Sequence, residues 1–239
     1  MRERAELEND VTSSSELPRQ AAAVGERPGA VLPDWIGLVA RAAVAIAVAI
    51  FITFSADHSA TLGYRMFAIF AIVSGLVVLA IALRSPDSAG RRPWFAAQGI
   101  VGVVAGALAA FSTDAGVPFL LFLVSGWAAI TGCIELVTGL RARGRVAQAK
   151  DWIFAGALTA AFAIVVLLIP AGYREAYIGP DEVERFLTAS VILVGGLGAY
   201  CAILGVFIAI AAFSLRWPTQ KPQTAVDVAS AAPESETRP

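Results

Sequence analysis

Residues 117–140 read VPFLLFLVSGWAAITGCIELVTGL, a stretch of 24 residues with one charged side chain, Glu135. About 20 apolar residues are enough to cross the roughly 30 Å hydrocarbon core of a bilayer. Inside that core every backbone amide needs a partner within its own segment, which favours a helix. Basic residues follow at once: Arg141, Arg143, Arg145 and Lys150. The stretch therefore predicts a transmembrane helix whose far end lies in the cytoplasm, where loops are rich in Lys and Arg.

Five further stretches have the same character, so that spans are predicted at about 36–54, 64–83, 94–112, 117–140, 152–170 and 188–213. The chain is 57% hydrophobic and only 15% charged, whereas about a quarter of the residues of a soluble domain are charged. We predict an all-α polytopic membrane protein with a membrane domain at residues 35–216. Residues 1–34 and 217–239 are polar or rich in Pro, Ser and Ala, which predicts disordered tails.

The loops between the spans differ in charge. The loops after spans two and four are basic, those after spans one and three contain no Lys or Arg, and the loop after span five is mainly acidic. Because basic loops mark the cytoplasmic side, this alternation predicts that both termini lie in the cytoplasm.

An internal repeat relates the spans in pairs. Trp35, Trp94 and Trp152 open the odd-numbered spans, 59 and 58 residues apart, and the even-numbered spans end at Arg84, Arg141 and Arg216. Tryptophan and arginine are common interfacial anchors. The pattern predicts three repeated helical hairpins. Aligning the repeats on these anchors places Ile100 and Leu158 at the position of Arg41, and Val78 and Ile210 at the position of Glu135.

Two charges lie within the predicted spans at matched depth. Arg41 follows Trp35 by six residues and Glu135 precedes Arg141 by six, so each lies about 9 Å from the cytoplasmic interface at 1.5 Å per helical residue. Ionisable groups at such depth are costly and are candidates for function. We predict a buried Arg41–Glu135 ion pair.

An alternative satisfies these charges separately: Arg41 reaches the cytoplasm and the hydroxyl of Thr131 or Thr138 bonds Glu135. Both threonines share a helix face with Glu135. Together with Gln98, which lies one turn into span three, they are candidates for polar packing between helices.

Two further features concern the ends of the spans. Cys133 and Cys201 lie about 12 and 22 Å from the cytoplasmic interface by the same arithmetic, too far apart for a disulfide within one subunit.

The acidic segment Pro180–Arg185 has carboxylates where the first turn of a helix favours them. We predict that it is a solvated start leading into span six.

Most catalytic constellations are missing from this sequence, which has one histidine and no nucleotide-binding loop, nucleophile motif or metal-ligand spacing. We expect no enzymatic activity, no cofactor and no bound metal. The net charge of −1 gives no reason to expect nucleic acid. The lipid bilayer is the expected partner, while a homo-oligomer or a membrane-protein partner stays open and no small-molecule substrate can be identified.

The stretch from Gly126-Trp127 through Glu135, Arg141, Trp152, Gly156 and Pro170 resembles the HdeD family of acid-resistance membrane proteins. The resemblance extends over roughly residues 35–216. This chain differs in its long acidic N-terminal tail and in lacking a proline at the end of span one. The resemblance implies six spans built from short repeated hairpins, a prokaryotic cytoplasmic membrane, and a role in acid or envelope stress. It implies no catalytic residue, because the family has no agreed reaction.

Three hypotheses about function follow. The first is a non-enzymatic membrane protein of the HdeD type that acts in stress tolerance. The second is a small-solute or proton-coupled transporter in which Glu135 binds the proton. The third is an assembly or scaffold subunit, which rests on the small-residue faces of spans three, five and six.

Overall fold

The structure is a computed structural model that describes residues 34–84, 91–146, 148–178, 182 and 184–216. Its helices are α1 (Asp34–Phe54), α2 (Ala60–Arg84), α3 (Arg92–Phe111), α4 (Gly116–Ala142), α5 (Ala149–Leu167) and α6 (Ala189–Arg216). All six of these helices are long and apolar enough to cross a membrane. The chain is a multi-pass membrane protein, as predicted. The predicted tails, apart from Asp34, lie outside the described residues.

The helices agree with the predicted spans to within a few residues at either end. At the C-terminal ends the largest differences are three residues: α6 ends at Arg216 rather than at residue 213, and α5 ends at Leu167 rather than at residue 170. Pro170 has no amide hydrogen and restricts the residue before it, so the helix ends before the proline.

The most extensive helix packing lies between α2 and α3, α4 and α5, and α1 and α6. In each pair a glycine of the even-numbered helix lies against the backbone of the odd-numbered one. A β-carbon added to these glycines would lie too close to a backbone nitrogen: Gly75 at 2.8 Å from Val103, Gly132 at 2.7 Å from Ala160 and Gly205 at 3.1 Å from Ile46. Small residues at these points let the helices approach closely.

These contacts give the register of the repeat. Ile46, Val103 and Ala160 are each 57 residues apart, and the matching glycines are Gly75, Gly132 and Gly205. The third glycine comes later because the loop before α6 is longer. Since the same contact recurs three times, the six helices form a ring with approximate threefold symmetry. The even-numbered helices also contact one another, so they line its axis.

The register corrects the alignment made on the interfacial anchors. A step of 57 residues from Arg41 leads to Gln98 and Ala155, not to Ile100 and Leu158. The equivalents of Glu135 are Val78 and Ile208, not Ile210. The rejected positions Ile100 and Ile210 are 52% and 62% exposed on the outside of the bundle. Interfacial anchors determine the depth of a helix only loosely, because their long side chains can reach the interface from several depths. A backbone contact at a glycine, in contrast, determines the register between two helices to the residue.

The loop before α6 contains an antiparallel hairpin of β1 (Arg174–Ile178) and β2 (Glu184–Thr188). The prediction of a helix start at 180–185 is wrong for Glu184 and Arg185, which lie in β2, while Pro180, Asp181 and Val183 are outside the described residues. The aromatic and β-branched residues Tyr177, Ile178 and Phe186 favour strand pairing, and this outweighs the helix dipole.

A side-chain contact links the two strands of the hairpin. The guanidinium of Arg174 lies 3.9 Å from the ring centroid of Phe186, a cation–π contact. Just before β1, the Tyr173 hydroxyl donates a hydrogen bond to the Glu175 carboxylate, which raises the pKa of Tyr173.

Candidate functional site

A buried polar cluster lies near the axis of the helix ring. Nη1 of Arg41 donates a hydrogen bond to Oε1 of Glu135, and Nε2 of Gln98 donates one to Oε2 of the same carboxylate, both at 3.3 Å. Glu135 is 3% exposed and Gln98 5%. The structure therefore brings the two predicted charges together and adds Gln98 as a second donor.

The ring explains why these side chains meet. Arg41 and Gln98 occupy the same repeat position on α1 and α3, and the third such position is the buried Ala155 on α5. Glu135 on α4 thus has donors from two repeats and an apolar methyl from the third. Although α1 and α4 are not neighbours in the ring, the long Arg41 side chain reaches across. The cluster is an asymmetric centre in a nearly symmetric bundle.

The two predicted threonines are buried near Glu135 but do not bond its carboxylate. The hydroxyl of Thr131 donates a hydrogen bond to the carbonyl of Trp127 at 2.7 Å. Its one hydrogen is therefore already bonded within α4. No hydrogen bond among the described residues joins Thr138 to the cluster, although Thr138 is buried. The two donors Arg41 and Gln98 offset part of the cost of burying a carboxylate.

Two cavities meet at the ion pair. The inner cavity, of about 20 Å³, is lined by Ser74, Gln98, Trp127 and Tyr200 as well as by the pair. The second, which we name the axial vestibule, has about 120 Å³ and is lined by residues of all six helices, among them Leu38, Ile81, Phe95, Glu135, Asp151 and Phe207. Arg41, Val78 and Glu135 line both cavities. The ion pair therefore separates them.

The axial vestibule extends toward the end of the bundle at which α2, α4 and the basic loops end, which we name the basic end. Gln148 and the half-buried Asp151 line it there, at the beginning of α5. Asp151 is only half-buried, so this end of the vestibule lies near the surface of the bundle. Glu135 thus faces a cavity that leads toward one end of the bundle.

Three aromatic rings from equivalent positions pack together at the side of the inner cavity away from the vestibule, and two of them, Trp127 and Tyr200, line that cavity. The centroids of Phe70 and Trp127 lie 5.7 Å apart, those of Phe70 and Tyr200 6.1 Å, and those of Trp127 and Tyr200 6.3 Å, all edge to face. We name these residues the aromatic triad. The Thr159 hydroxyl donates to the Ala155 carbonyl, so the Tyr200 hydroxyl is the donor in its 2.9 Å bond to Thr159. The triad closes the axis on the side away from the vestibule.

The predicted anchors lie at the basic end, where two of them stack with arginines. The guanidinium of Arg141 lies 5.7 Å from the ring centroid of Trp94, and that of Arg91 lies 5.6 Å from that of Trp152. Trp35 is the second residue of α1 and Arg84 is the last of α2, also at this end. The side chain of Arg216 is outside the described residues. The two cysteines are free, with Cys133 exposed and Cys201 buried.

Comparison with protein families agrees with the repeat seen in the structure. A family described as a short repeat of unknown function, DUF308, matches the chain twice, over residues 40–111 and 97–168. The matches together cover residues 40–168, more than half of the 239 residues. The chain belongs to the DUF308 family. The first DUF308 match begins at residue 40 and the second at residue 97. This separation of 57 residues equals the one between the repeated glycine contacts of the first two repeats. No curated protein and no solved structure matches the chain.

Sequence reasoning did not identify Ser74, Tyr200 and Asp151 as residues that line the cavities at the ion pair. A correct register would have pointed to Ser74, which is equivalent to the predicted Thr131. It would not have pointed to Tyr200, because its equivalent Trp127 was not among the predicted site residues. Asp151 stands beside the anchor Trp152 at the start of a span, a place where charges are common. No sequence pattern distinguishes it.

Proposed function

We propose that this protein acts in acid or envelope stress tolerance in a prokaryotic cytoplasmic membrane, as a non-enzymatic protein of the HdeD type. The observation that carries the proposal is the buried Glu135 carboxylate, paired with Arg41 at 3.3 Å and facing the axial vestibule. A proton on Glu135 removes the negative charge that holds the guanidinium. We propose that loss of this contact at the centre of the bundle is how the protein responds to acid.

The sequence resemblance to the HdeD family supports the stress role, and membership of the DUF308 family is compatible with it. The orientation of the basic loops supports a cytoplasmic position for the basic end. Protons that reach Glu135 through the vestibule would then come from the cytoplasm, so the cluster would respond to acidification of the cell interior.

A deletion strain tests this proposal. Growth and survival are measured across external pH and under envelope stress, with complementation by the wild type, by Glu135→Gln and by Glu175→Gln. Glu175 is an exposed carboxylate of the β-hairpin and serves as the matched control. We expect the deletion strain to be sensitive to acid. At equal amounts of protein in the membrane, the wild type and Glu175→Gln should rescue growth, and Glu135→Gln should not. Full rescue by Glu135→Gln, or no phenotype of the deletion, would contradict the proposal.

The second candidate is proton-coupled or small-solute transport through the ring. It is favoured by the vestibule, which places Glu135 at the end of a cavity shared by all six helices. The aromatic triad argues against it in this conformation, because transport requires the axis to open beyond Trp127 and Tyr200. Purified protein in liposomes discriminates the two: an imposed pH gradient stays intact under the first proposal and decays in a Glu135-dependent manner under the second.

A further inference from the structure

Three polar atoms around the ion pair have no hydrogen-bond partner in the part of the chain that the structure describes. They are Nε of Arg41, Oγ of Ser74 and Oε1 of Gln98, all fully buried. Buried polar groups are nearly always hydrogen-bonded, and an unsatisfied one costs about 1–3 kcal/mol. Three such atoms in one place indicate a ligand that satisfies them together.

All three residues line the inner cavity, whose volume is about 20 Å³. A cavity needs roughly 10–15 Å³ to hold one water molecule, together with two to four polar partners. The inner cavity meets both conditions. It is too small for an organic solute, which restricts the ligand to a species of the size of one water molecule.

The chemistry of the three atoms selects among such species. Nε of Arg41 can only donate, and the Ser74 hydroxyl can donate and accept. The amide of Gln98 is oriented by Glu135, since a carboxylate only accepts and so takes the Nε2 group; Oε1, an acceptor, is left for the cavity. A metal cation would face the Arg41 guanidinium, and an anion would face the Gln98 oxygen. Water both donates and accepts, and so suits all three.

Ser74 distinguishes this site from its repeat equivalents. At the same repeat position, the Thr131 hydroxyl donates to the carbonyl one turn earlier, at 2.7 Å, and the third equivalent is the apolar Leu204. The Ser74 hydroxyl makes no such bond to its own helix. It is therefore free to bind a ligand in the cavity.

We propose that the inner cavity binds one water molecule that accepts a hydrogen bond from Nε of Arg41, donates one to Oε1 of Gln98 and bonds the hydroxyl of Ser74. This water bonds both of the residues that donate hydrogen bonds to Glu135, at atoms that the carboxylate does not use. It is thus a structural ligand of the polar cluster. The proposal stands on the three atoms and the cavity, and does not depend on a role in stress tolerance.

The direct test is an experimental structure of the wild-type protein at a resolution that shows ordered water. We expect density within hydrogen-bonding distance of all three atoms. An empty cavity, an ion in it, or a Ser74 hydroxyl bonded to the carbonyl of Phe70 would overturn the proposal.

X-ray radiolytic labelling tests it in solution, because hydroxyl radicals formed from a bound water oxidise the aromatic rings beside it. Trp127 and Tyr200 line the cavity, whereas the fully buried Tyr64 lies outside its lining and is the internal reference. We expect Trp127 and Tyr200 to be oxidised faster than Tyr64 in the wild type, and as slowly as Tyr64 in Ser74→Val, whose methyl groups fill the cavity.

The control variant is Ser125→Ala, which removes a buried hydroxyl bonded within its own helix, to Phe122; it should leave the labelling unchanged. The proposal would be overturned if Trp127 and Tyr200 of the wild type were no more reactive than Tyr64. It would also be overturned if Trp127 and Tyr200 were labelled as fast in a folded Ser74→Val protein as in the wild type. Should Ser74→Val fail to fold, Gln98→Met provides the second cavity variant with the same expectation.

Discussion

At the scale of single residues, the donors to Glu135 come from one repeat position, which holds a different side chain in each of the three repeats. Arg41, Gln98 and Ala155 are equivalent in the ring, yet only the first two reach Glu135. The sequence predicted the two charges because their depths match and their signs are opposite. It could not predict the part played by Gln98, since the anchors gave a register two residues from that of the packed backbone.

The ion pair leads to a prediction about stability. Glu135→Gln and Arg41→Met should each lower the free energy of unfolding by about 3 kcal/mol, because each leaves an uncompensated buried group. The double variant should lose at least about 1 kcal/mol less than the sum of the two. Unfolding in mixed micelles measures all three, with the exposed Glu175→Gln, expected within about 0.5 kcal/mol of the wild type, as control. Additive losses would show that the two side chains do not interact.

At the scale of helices, hydropathy alone predicted all six spans, because the length and apolar character of each are sufficient. The β-hairpin was missed because its acidic residues suggested a helix start, whereas its strands are specified by cross-strand pairs such as Ala176 with Phe186. The small residues indicated which face of each helix packs against another helix, but they did not indicate which helix is the partner. Lipid is as apolar as the side chains, so burial of apolar surface does not select the partner.

A matched pair of glycines in α4 and α5 tests the backbone contacts. A β-carbon at Gly156 would lie 2.3 Å from the backbone nitrogen of Leu136, whereas one at Gly126 meets nothing within 4 Å. Gly156→Ala should therefore force α4 and α5 apart and cost about 1–3 kcal/mol. Gly126→Ala should cost nothing, since alanine is the better helix former. Thermal unfolding in detergent measures both variants. Equal effects would mean that α4 and α5 do not meet at Gly156.

At the scale of the whole molecule, the alternation of basic loops with neutral or acidic ones predicts which end faces the cytoplasm. A reporter active only in the cytoplasm should be active when fused after Arg92, Lys150 or Trp217, and silent after Asp57, Asp114 or Tyr177. The expectation rests on the positive-inside rule. An inverted pattern at two or more of these sites would overturn the orientation with both termini inside.

The closed ring is what brings the polar cluster to the axis, and its closure joins the first helix to the last. The sequence alone could not predict this contact, because α1 and α6 are far apart in the chain and the small residues of α6 would suit several neighbours. In the structure, a β-carbon on Gly198 would lie 3.3 Å from that of Ile52. This separation is slightly below the roughly 3.5–4.5 Å between the β-carbons of a disulfide.

Cysteine cross-linking between α1 and α6 therefore tests whether these two helices close the ring. In a background with Cys133 and Cys201 changed to alanine, Ile52→Cys with Gly198→Cys should form an intramolecular disulfide in membranes. The control, Ile50→Cys with Ile203→Cys, places both thiols on the same helices but on outward-facing positions, 54% and 51% exposed, and should not cross-link within one chain. We predict a cross-linked monomer for the first pair alone. Its absence under oxidation, or cross-linking of the control pair instead, would contradict a ring closed by α1 and α6.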